Sequence, residues 1–307
     1  MKTKIISTQD TYISIHADAV YNPISYNDLT KIGGKPILGK IRNQFLAKLN
    51  TASEHRAMSP YYLEHDGGVK SYYVDQNVLT KGVERGWADP EDPRHVNYSN
   101  RKTYTGNGTL AFKDGVPQNP YLSANQAPEG RGLLGKWGVN AAADFLITFT
   151  DNEGKLRILM IRRADTRQFA LPGGMVDPGE KFSQTALREL EEETGIPTGQ
   201  LREELDNSGE AIYQGYVDDP RNTRNAWMET NVFHLNLTKE LASSIQLQAG
   251  DDAMSVEWAV ATPELISSLY ASHGDYVLMS VARLIDEGIL SAQPYKALFE
   301  AKGYTVQ

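Results

Sequence analysis

Five glutamates fall in the fourteen residues from Glu180 to Glu193, inside the stretch PGGMVDPGEKFSQTALRELEEETGI that begins at Pro172. Pro178-Gly179 suits the approach to a helix start and Gly195 followed by Pro197 suits its end, so residues 181–194 are predicted to form about four helical turns. At about 100° per residue, Phe182, Ala186, Leu187 and Leu190 share one apolar arc, the face such a helix buries. Glu193 projects between Phe182 and Ala186, Glu189 stands at the border of the arc, and Glu192 lies one turn from Glu189. A solvated charge face with i,i+4 pairs such as Arg188 with Glu192, each worth about 0.2–0.5 kcal/mol, accounts for Glu191. It does not account for Glu189 and Glu193, whose carboxylates crowd one another beside apolar groups. That arrangement is costly unless a proton, an arginine or a cation neutralises the charge.

A divalent cation meets this need. Hard oxygen ligands select Mg²⁺ or Mn²⁺, and Mg²⁺ is typically held by a few carboxylates, waters and substrate phosphates, so the cluster points to phosphate chemistry. The Pro172-Gly173-Gly174 turn lets backbone approach closely, which makes the Gly173 carbonyl a further candidate ligand. The spacing Gly174, five residues, Glu180, seven residues, then Arg188-Glu189-Leu190-Glu191-Glu192-Glu193-Thr194-Gly195-Ile196 resembles a complete Nudix box, matched at nine fixed positions. The resemblance implies an α/β/α sandwich with a mixed sheet and Mg²⁺ held by Glu189, Glu192 and Glu193. It also implies hydrolysis of a nucleoside diphosphate linked to another moiety, with Arg188 orienting a glutamate.

Several segments outside the box bear on that other moiety: RGWADPEDP (85–93), GRGLLGKWGVNAAAD (130–144), GYVDDPRNTRNAWMET (215–230), LQAGDDA (247–253) and LYASH (269–273). Together they resemble the mitochondrial ADP-ribose pyrophosphatases of animals and the ADP-ribose-sensing domains of melastatin-type cation channels, from about Gly86 to about Leu284. Residues 1 to about 80 carry no such likeness. The resemblance implies ADP-ribose as substrate, AMP and ribose 5-phosphate as products, and contacts to ADP-ribose from Asp219, Arg221, Tyr270 and His273. Ala141 stands where the family usually has histidine. Candidates for the general base are Asp251, Asp252 and Glu180, with Asp252 favoured; Glu180, Arg188, Glu192 and Asp252 are thus the catalytic candidates. The intact box favours turnover over a sensor that binds without cleaving, and another nucleotide sugar or a dinucleotide is the runner-up substrate. Trp137 and Trp227 are expected to pack in the interior.

The elements that must position these groups are legible from pattern. ADFLITFT (143–150), a DNEG turn and KLRILMIRR (155–163) predict a β-hairpin. AIYQGYV (211–217), WMETNVFHLNL (227–237) and SVEWAV (255–260) predict further strands, and PELISSLYA (263–271) and DYVLMSVARLIDEGI (275–289) predict helices. The implied domain is α/β, residues 131–307, preceded by a smaller α+β unit, residues 1–130, that walls or caps the cleft. In that first unit LGKIRNQFLAKL (38–49) is the best helix, and residues 115–132 read as a linker or an ordered crossing. GGKPILGKI (33–41) has Walker spacing, but Ile41 takes the place of the Ser/Thr that would ligate Mg²⁺ and no strand precedes it.

Composition bounds the rest. With 40% hydrophobic and 23% charged residues, the 307-residue chain has the balance of a globular protein. The net charge of −8 opposes a footprint on nucleic acid or an anionic membrane. There is no cysteine, which removes disulfides, thiolate nucleophiles and zinc–cysteine sites, including that of a zinc-bearing NADH pyrophosphatase. The opening MKTKIISTQDTYISIHADAV lacks the apolar run of a secretory signal and the arginines of a transit peptide. No apolar run approaches the roughly 20 residues that span a bilayer. A cytoplasmic monomer is expected.

Overall fold

A computed structural model describes residues 36–52, 73–105, 108–123, 126–201, 204, 209–250 and 253–305. Helix α1 (Pro36–Ala52) comes first, followed by four short strands: β1 (Tyr73–Val74), β2 (Ala111–Lys113), β3 (Val116–Gln118) and β4 (Gly130–Gly132). The main sheet takes β5 (Gly138–Thr150), β6 (Leu156–Arg163), β7 (Phe169–Ala170), β8 (Gly173–Met175), β9 (Glu210–Tyr216), β10 (Ala226–Asn236) and β11 (Ala253–Val260). Its order is β11-β6-β5-β10-β9, with β7 on β6 and β8 on β5. The expected hairpin forms where Thr148–Thr150 pairs with Leu156–Ile158. Strand β5 begins at Gly138, earlier than the alternation suggests, because β10 pairs with it in parallel from Gly138↔Ala226 to Thr148↔Asn236. A strand so enclosed is buried on both faces and loses its alternating signature.

The two faces of β5 divide the core. Ala143, Phe145, Ile147 and Phe149 meet Phe182, Ala186 and Leu190 of α2 (Phe182–Thr194), and the short α3 (Lys239–Ser244) covers the same side. Leu146, two residues from Asp144 and so on its face, meets the other helical layer, built on α5 (His273–Asp286). The α5 residues from His273 to Leu284 are all buried, since α1, α4 (Pro263–Ser268) and α6 (Lys296–Ala301) contribute to the same core. The buried charged groups of α5 are paired inside that enclosure: Tyr304 Oη donates to Asp275 Oδ1 at 2.6 Å and Arg283 Nη1 to His234 O at 2.9 Å. The architecture is therefore the expected α/β/α sandwich.

Two expectations need correction. The helix drawn to Ala271 stops at Ser268, and Leu269 is extended (φ −66°, ψ 147°). Tyr270 N–H donates to Phe169 O at 3.0 Å, which anchors the chain to β7 instead of to another helical turn. Helix α1, on the N-terminal side of the boundary drawn at residue 130, belongs to the sandwich core: Leu38, Ile41, Phe45 and Leu49 are buried there. Asp286 at the end of α5 accepts from the N–H groups of Ile37 and Leu38 at 3.1 and 2.9 Å, satisfying two donors at the start of α1. Gly39 and Lys40 of the Walker-like stretch lie inside this helix, so they form no phosphate loop; residues 33–35 lie outside the described residues.

Within the stretch 115–132, the described residues 115–123 and 126–132 form a crossing tied to the main sheet's loops. Asn119 N–H donates to Arg224 O at 2.8 Å, Gly130 N–H to Asn225 Oδ1 at 2.8 Å, and Asn225 Nδ2 to Pro117 O at 2.8 Å. These bonds hold the loop after β9 from behind. Trp137 and Trp227 are buried, as expected.

Candidate active site

The C-terminal half of α2, strand β8 and the loops after β6, β9 and α4 enclose a cleft of about 500 Å³. The glycine pair of PGG is required by what lies on each side of it. A Cβ on Gly174 would overlap the Glu189 carboxylate, and one on Gly173 would stand 2.5 Å from Asp144 Oδ1 and 2.6 Å from Ala143 O. Strand β8 thus slips between two acidic side chains only because it has none of its own there. At the far end of α2, Gly195 closes the helix in the left-handed conformation (φ 68°), its N–H donating to Glu191 O at 3.0 Å.

The box glutamates separate by environment. Glu189 and Glu193 line the cleft, while Glu192 is exposed. Burial pushes the Glu193 carboxyl up to about 8, with Glu189 and Asp144 adding to the shift and the Gly173 N–H, at 2.9 Å from Oε2, opposing it. Glu189 is also raised, again chiefly by burial, against the pull of Arg188. Arg188 is the hub: Nε and Nη2 reach the two oxygens of Glu180 at 3.0 Å each, and Nη1 reaches Glu189 at 2.7 Å and Glu192 at 3.0 Å. The Arg188 bonds hold Glu180 down at about 2, and Thr185 Oγ1 donates to it as well. Glu180 is held by Arg188 and Thr185, at the edge of the cleft beside Asp177 and Arg188, which line it. Asp251 and Asp252, the other candidate bases, lie outside the described residues.

The opposite wall carries the four residues expected to contact substrate, and all four line the cleft. Burial raises the Asp219 carboxyl, but Arg221 outweighs it and the net shift is downward: Arg221 N, Nε and Nη2 donate to it at 2.8, 2.9 and 2.8 Å. Tyr270 Oη adds a contact at 3.3 Å. The loop Tyr270-Ala271-Ser272 turns through Ala271 in the left-handed region (φ 45°). His273 is buried, which pulls its imidazole down to about 3 and keeps it neutral. Its Nδ1 accepts from Leu171 N–H at 2.8 Å, so the ring proton sits on Nε2.

Three further cleft residues, Asp144, Thr230 and Arg163, are not singled out in the sequence, although Asp144 and Thr230 close the segments 130–144 and 215–230. Asp144 is a buried acid in the run AAADFLITF, with Thr230 Oγ1 donating to Oδ2 at 2.6 Å. Burial raises its carboxyl to about 7. Arg163 lies over the Tyr270 ring, 4.5 Å from its centroid, and forks onto Asp165 at 2.9 and 2.8 Å. A lone charge within an apolar strand was the available signal for Asp144, since a buried charge needs a reason.

Among the described residues no three Asp, Glu, His or Cys side chains stand together in metal-ligating geometry. The donor chemistry still fits a hard cation. Glu189 and Glu193 offer only oxygen, and the charge of Glu189 helps to raise the Glu193 carboxyl, a repulsion that a divalent ion relieves. Arg188 Nη1 donates to one oxygen of Glu189 and one of Glu192, so each carboxylate can ligate through its second oxygen while the arginine holds the first.

A family model described as the NUDIX domain matches residues 140–277. "Putative nudix hydrolase 6" of Caenorhabditis elegans is 42% identical over 202 residues, covering 62% of this chain and 76% of that protein. The chain belongs to the Nudix family. The mitochondrial ADP-ribose pyrophosphatase of Rattus norvegicus is 39% identical over 228 residues, covering 62% of this chain and 63% of that protein. A transient receptor potential cation channel of subfamily M, member-like 2, from Nematostella vectensis is 39% identical over 213 residues, covering 62% of this chain and 13% of the channel. Nudix hydrolases generally use divalent metal ions, in keeping with the donor set. Among the described residues no helix is long and apolar enough to cross a membrane.

Proposed function

We propose that this Nudix protein hydrolyses the diphosphate of ADP-ribose to AMP and ribose 5-phosphate, with Mg²⁺ as its metal and Mn²⁺ as a substitute. The observation that carries this is one cleft lined both by the box carboxylates Glu189 and Glu193 and by Asp219, Arg221, Tyr270 and His273. The relative named an ADP-ribose pyrophosphatase supports it.

When bound, the metal neutralises diphosphate oxygens and lowers the pKa of a water. Glu189, Glu192 and Glu193 hold it, with the Gly173 carbonyl as a further ligand. Arg188 keeps Glu180 ionised and fixes Glu189 and Glu192 at the helix surface. Arg163 and Arg221 offset the negative charge of the diphosphate inside an acidic protein. Tyr270 and His273 present an Oη and an Nε2–H to the sugar end, and Asp252 is the proposed base. The residues before β5 brace the loop after β9, which carries Asp219 and Arg221, through the bonds of Asn119 and Gly130.

The test is incubation with ADP-ribose and Mg²⁺ and chromatographic measurement of AMP, beside a Glu192→Gln, Glu193→Gln double variant. AMP from the wild type alone, abolished by EDTA, is expected. Binding without AMP, seen as protection against thermal unfolding, would make the chain a sensor, the reading favoured by its likeness to a channel segment. Neither effect would redirect the search to other nucleotide sugars.

A further inference from the structure

Two polar atoms on the cleft wall face one another across a gap of awkward length. His273 Nε2 and Asp144 Oδ1 are 3.8 Å apart, beyond hydrogen-bond reach. Each is fixed from behind. His273 Nδ1 is occupied by Leu171 N–H, which leaves Nε2 as the donor; Asp144 Oδ2 is occupied by the Thr230 hydroxyl, which leaves Oδ1 as the acceptor. Asp144, Thr230 and His273 are all nearly inaccessible yet line the cleft. The second carboxylate on this wall differs, because Asp219 is saturated by Arg221 and Tyr270.

We infer that Asp144 and His273 together read one sugar hydroxyl of the substrate, with Asp144 as its acceptor. An oxygen about 2.8 Å from both atoms closes the gap. It must accept from Nε2–H and donate to Oδ1, and only a hydroxyl or water does both. With Asp144 ionised, a phosphate oxygen has no proton to give it, and an ammonium has no lone pair for His273. Sugar hydroxyls are thus selected over phosphate at this point, which orients the substrate so that its diphosphate lies toward Glu189 and Glu193. Removing the hydroxyl leaves a buried donor and a buried acceptor unpaired, a penalty of roughly 10- to 100-fold in affinity.

This inference rests on the ADP-ribose reading, so wild-type turnover of ADP-ribose is measured first. The wild type and Asp144→Asn are then compared on ADP-ribose and on a set of analogues, each with one ribose hydroxyl replaced by hydrogen. Asparagine keeps the shape and the acceptor for Thr230 but turns an NH₂ toward the gap. The expected result is a roughly 10- to 100-fold rise in KM for Asp144→Asn on ADP-ribose with kcat much less affected. One analogue should show the same loss on the wild type and little further loss on the variant. Equal behaviour of every analogue on the wild type, or losses that simply multiply, would overturn the inference and leave water in the gap. If Asp144→Asn fails to fold, Thr230→Val and the wild-type analogue series decide between the same two outcomes. If ADP-ribose binds without turnover, the comparison is made on its Kd; if it neither binds nor is cleaved, the inference falls with the function.

Discussion

Glu193 sits where a carboxylate is hardest to keep charged: half-buried, near Glu189 and Asp144, with one backbone N–H for support. Its folded value of about 8 lies above the ordinary 4.5, so between these values the folded state holds more protons than the unfolded one. The stability tied to Glu193 is therefore fully present below about pH 4.5 and is lost as the pH climbs to about 8. In metal-free buffer, Tm of the wild type should fall over that range more than Tm of Glu193→Gln, a difference read by thermal melts at several pH values. Added Mg²⁺ should raise the wild-type Tm more at the alkaline end, where the carboxylate is ionised, and should have little effect on the variant. Equal pH slopes would show that Glu193 is not the group under strain. The helical wheel places Glu193 against apolar neighbours from sequence alone, because a period of 3.6 residues is a local property. Asp144 escapes any such pattern, since its partners Thr230 and His273 are 86 and 129 positions away and meet it only in the folded sheet.

At the scale of elements, the turn before α2 matters as much as the helix. A Cβ on Gly174 meets the far end of the Glu189 side chain, which can swing away, whereas one on Gly250 meets the backbone carbonyl of Glu192, which cannot. Gly174→Ala should therefore fold with nearly unchanged Tm while displacing Glu189 and losing on the order of 100-fold in kcat/KM. Gly250→Ala should instead lower Tm, because the end of α2 must shift. Loss of stability without loss of activity in Gly174→Ala would contradict the placement of Glu189. The loop after α4 makes a second point. Ala271 holds a left-handed conformation that costs a non-glycine residue about 1–2 kcal/mol. Ala271→Gly removes that strain but loosens the unfolded chain and the loop, so Tm should move little while KM for ADP-ribose rises as Tyr270 and His273 lose their fixed approach. The helical period of PELISSLYA hid this break, which is imposed by the bond from Tyr270 to β7 rather than by any local residue.

At the scale of the molecule, the boundary drawn at residue 130 follows a change of composition, and composition does not report which core a segment joins. Helix α1 carries Leu38, Ile41, Phe45 and Leu49 on one face, a pattern that announces burial without naming the partner. In the folded chain Phe45 packs edge-on to Tyr213 of β9 (ring centroids 5.3 Å apart) and to Tyr276 of α5 (6.1 Å). Tyr276 follows His273 by three residues on the same helix, so α1 supports the element from which one wall of the cleft is built. Phe45→Ala should cost about 3–5 kcal/mol, at roughly 2–4 °C of Tm per kcal/mol for a domain of this size. Because α1 shares its core with the sheet, the loss should shift one cooperative transition that carries α1 and the sheet together. Calorimetry of the full chain decides it: a variant whose main transition stays in place while a separate, smaller one moves would show that α1 unfolds independently of the sandwich. If the main transition moves, the N-terminal helix is a structural member of the catalytic unit, and truncations that remove it should abolish folding rather than merely raise KM.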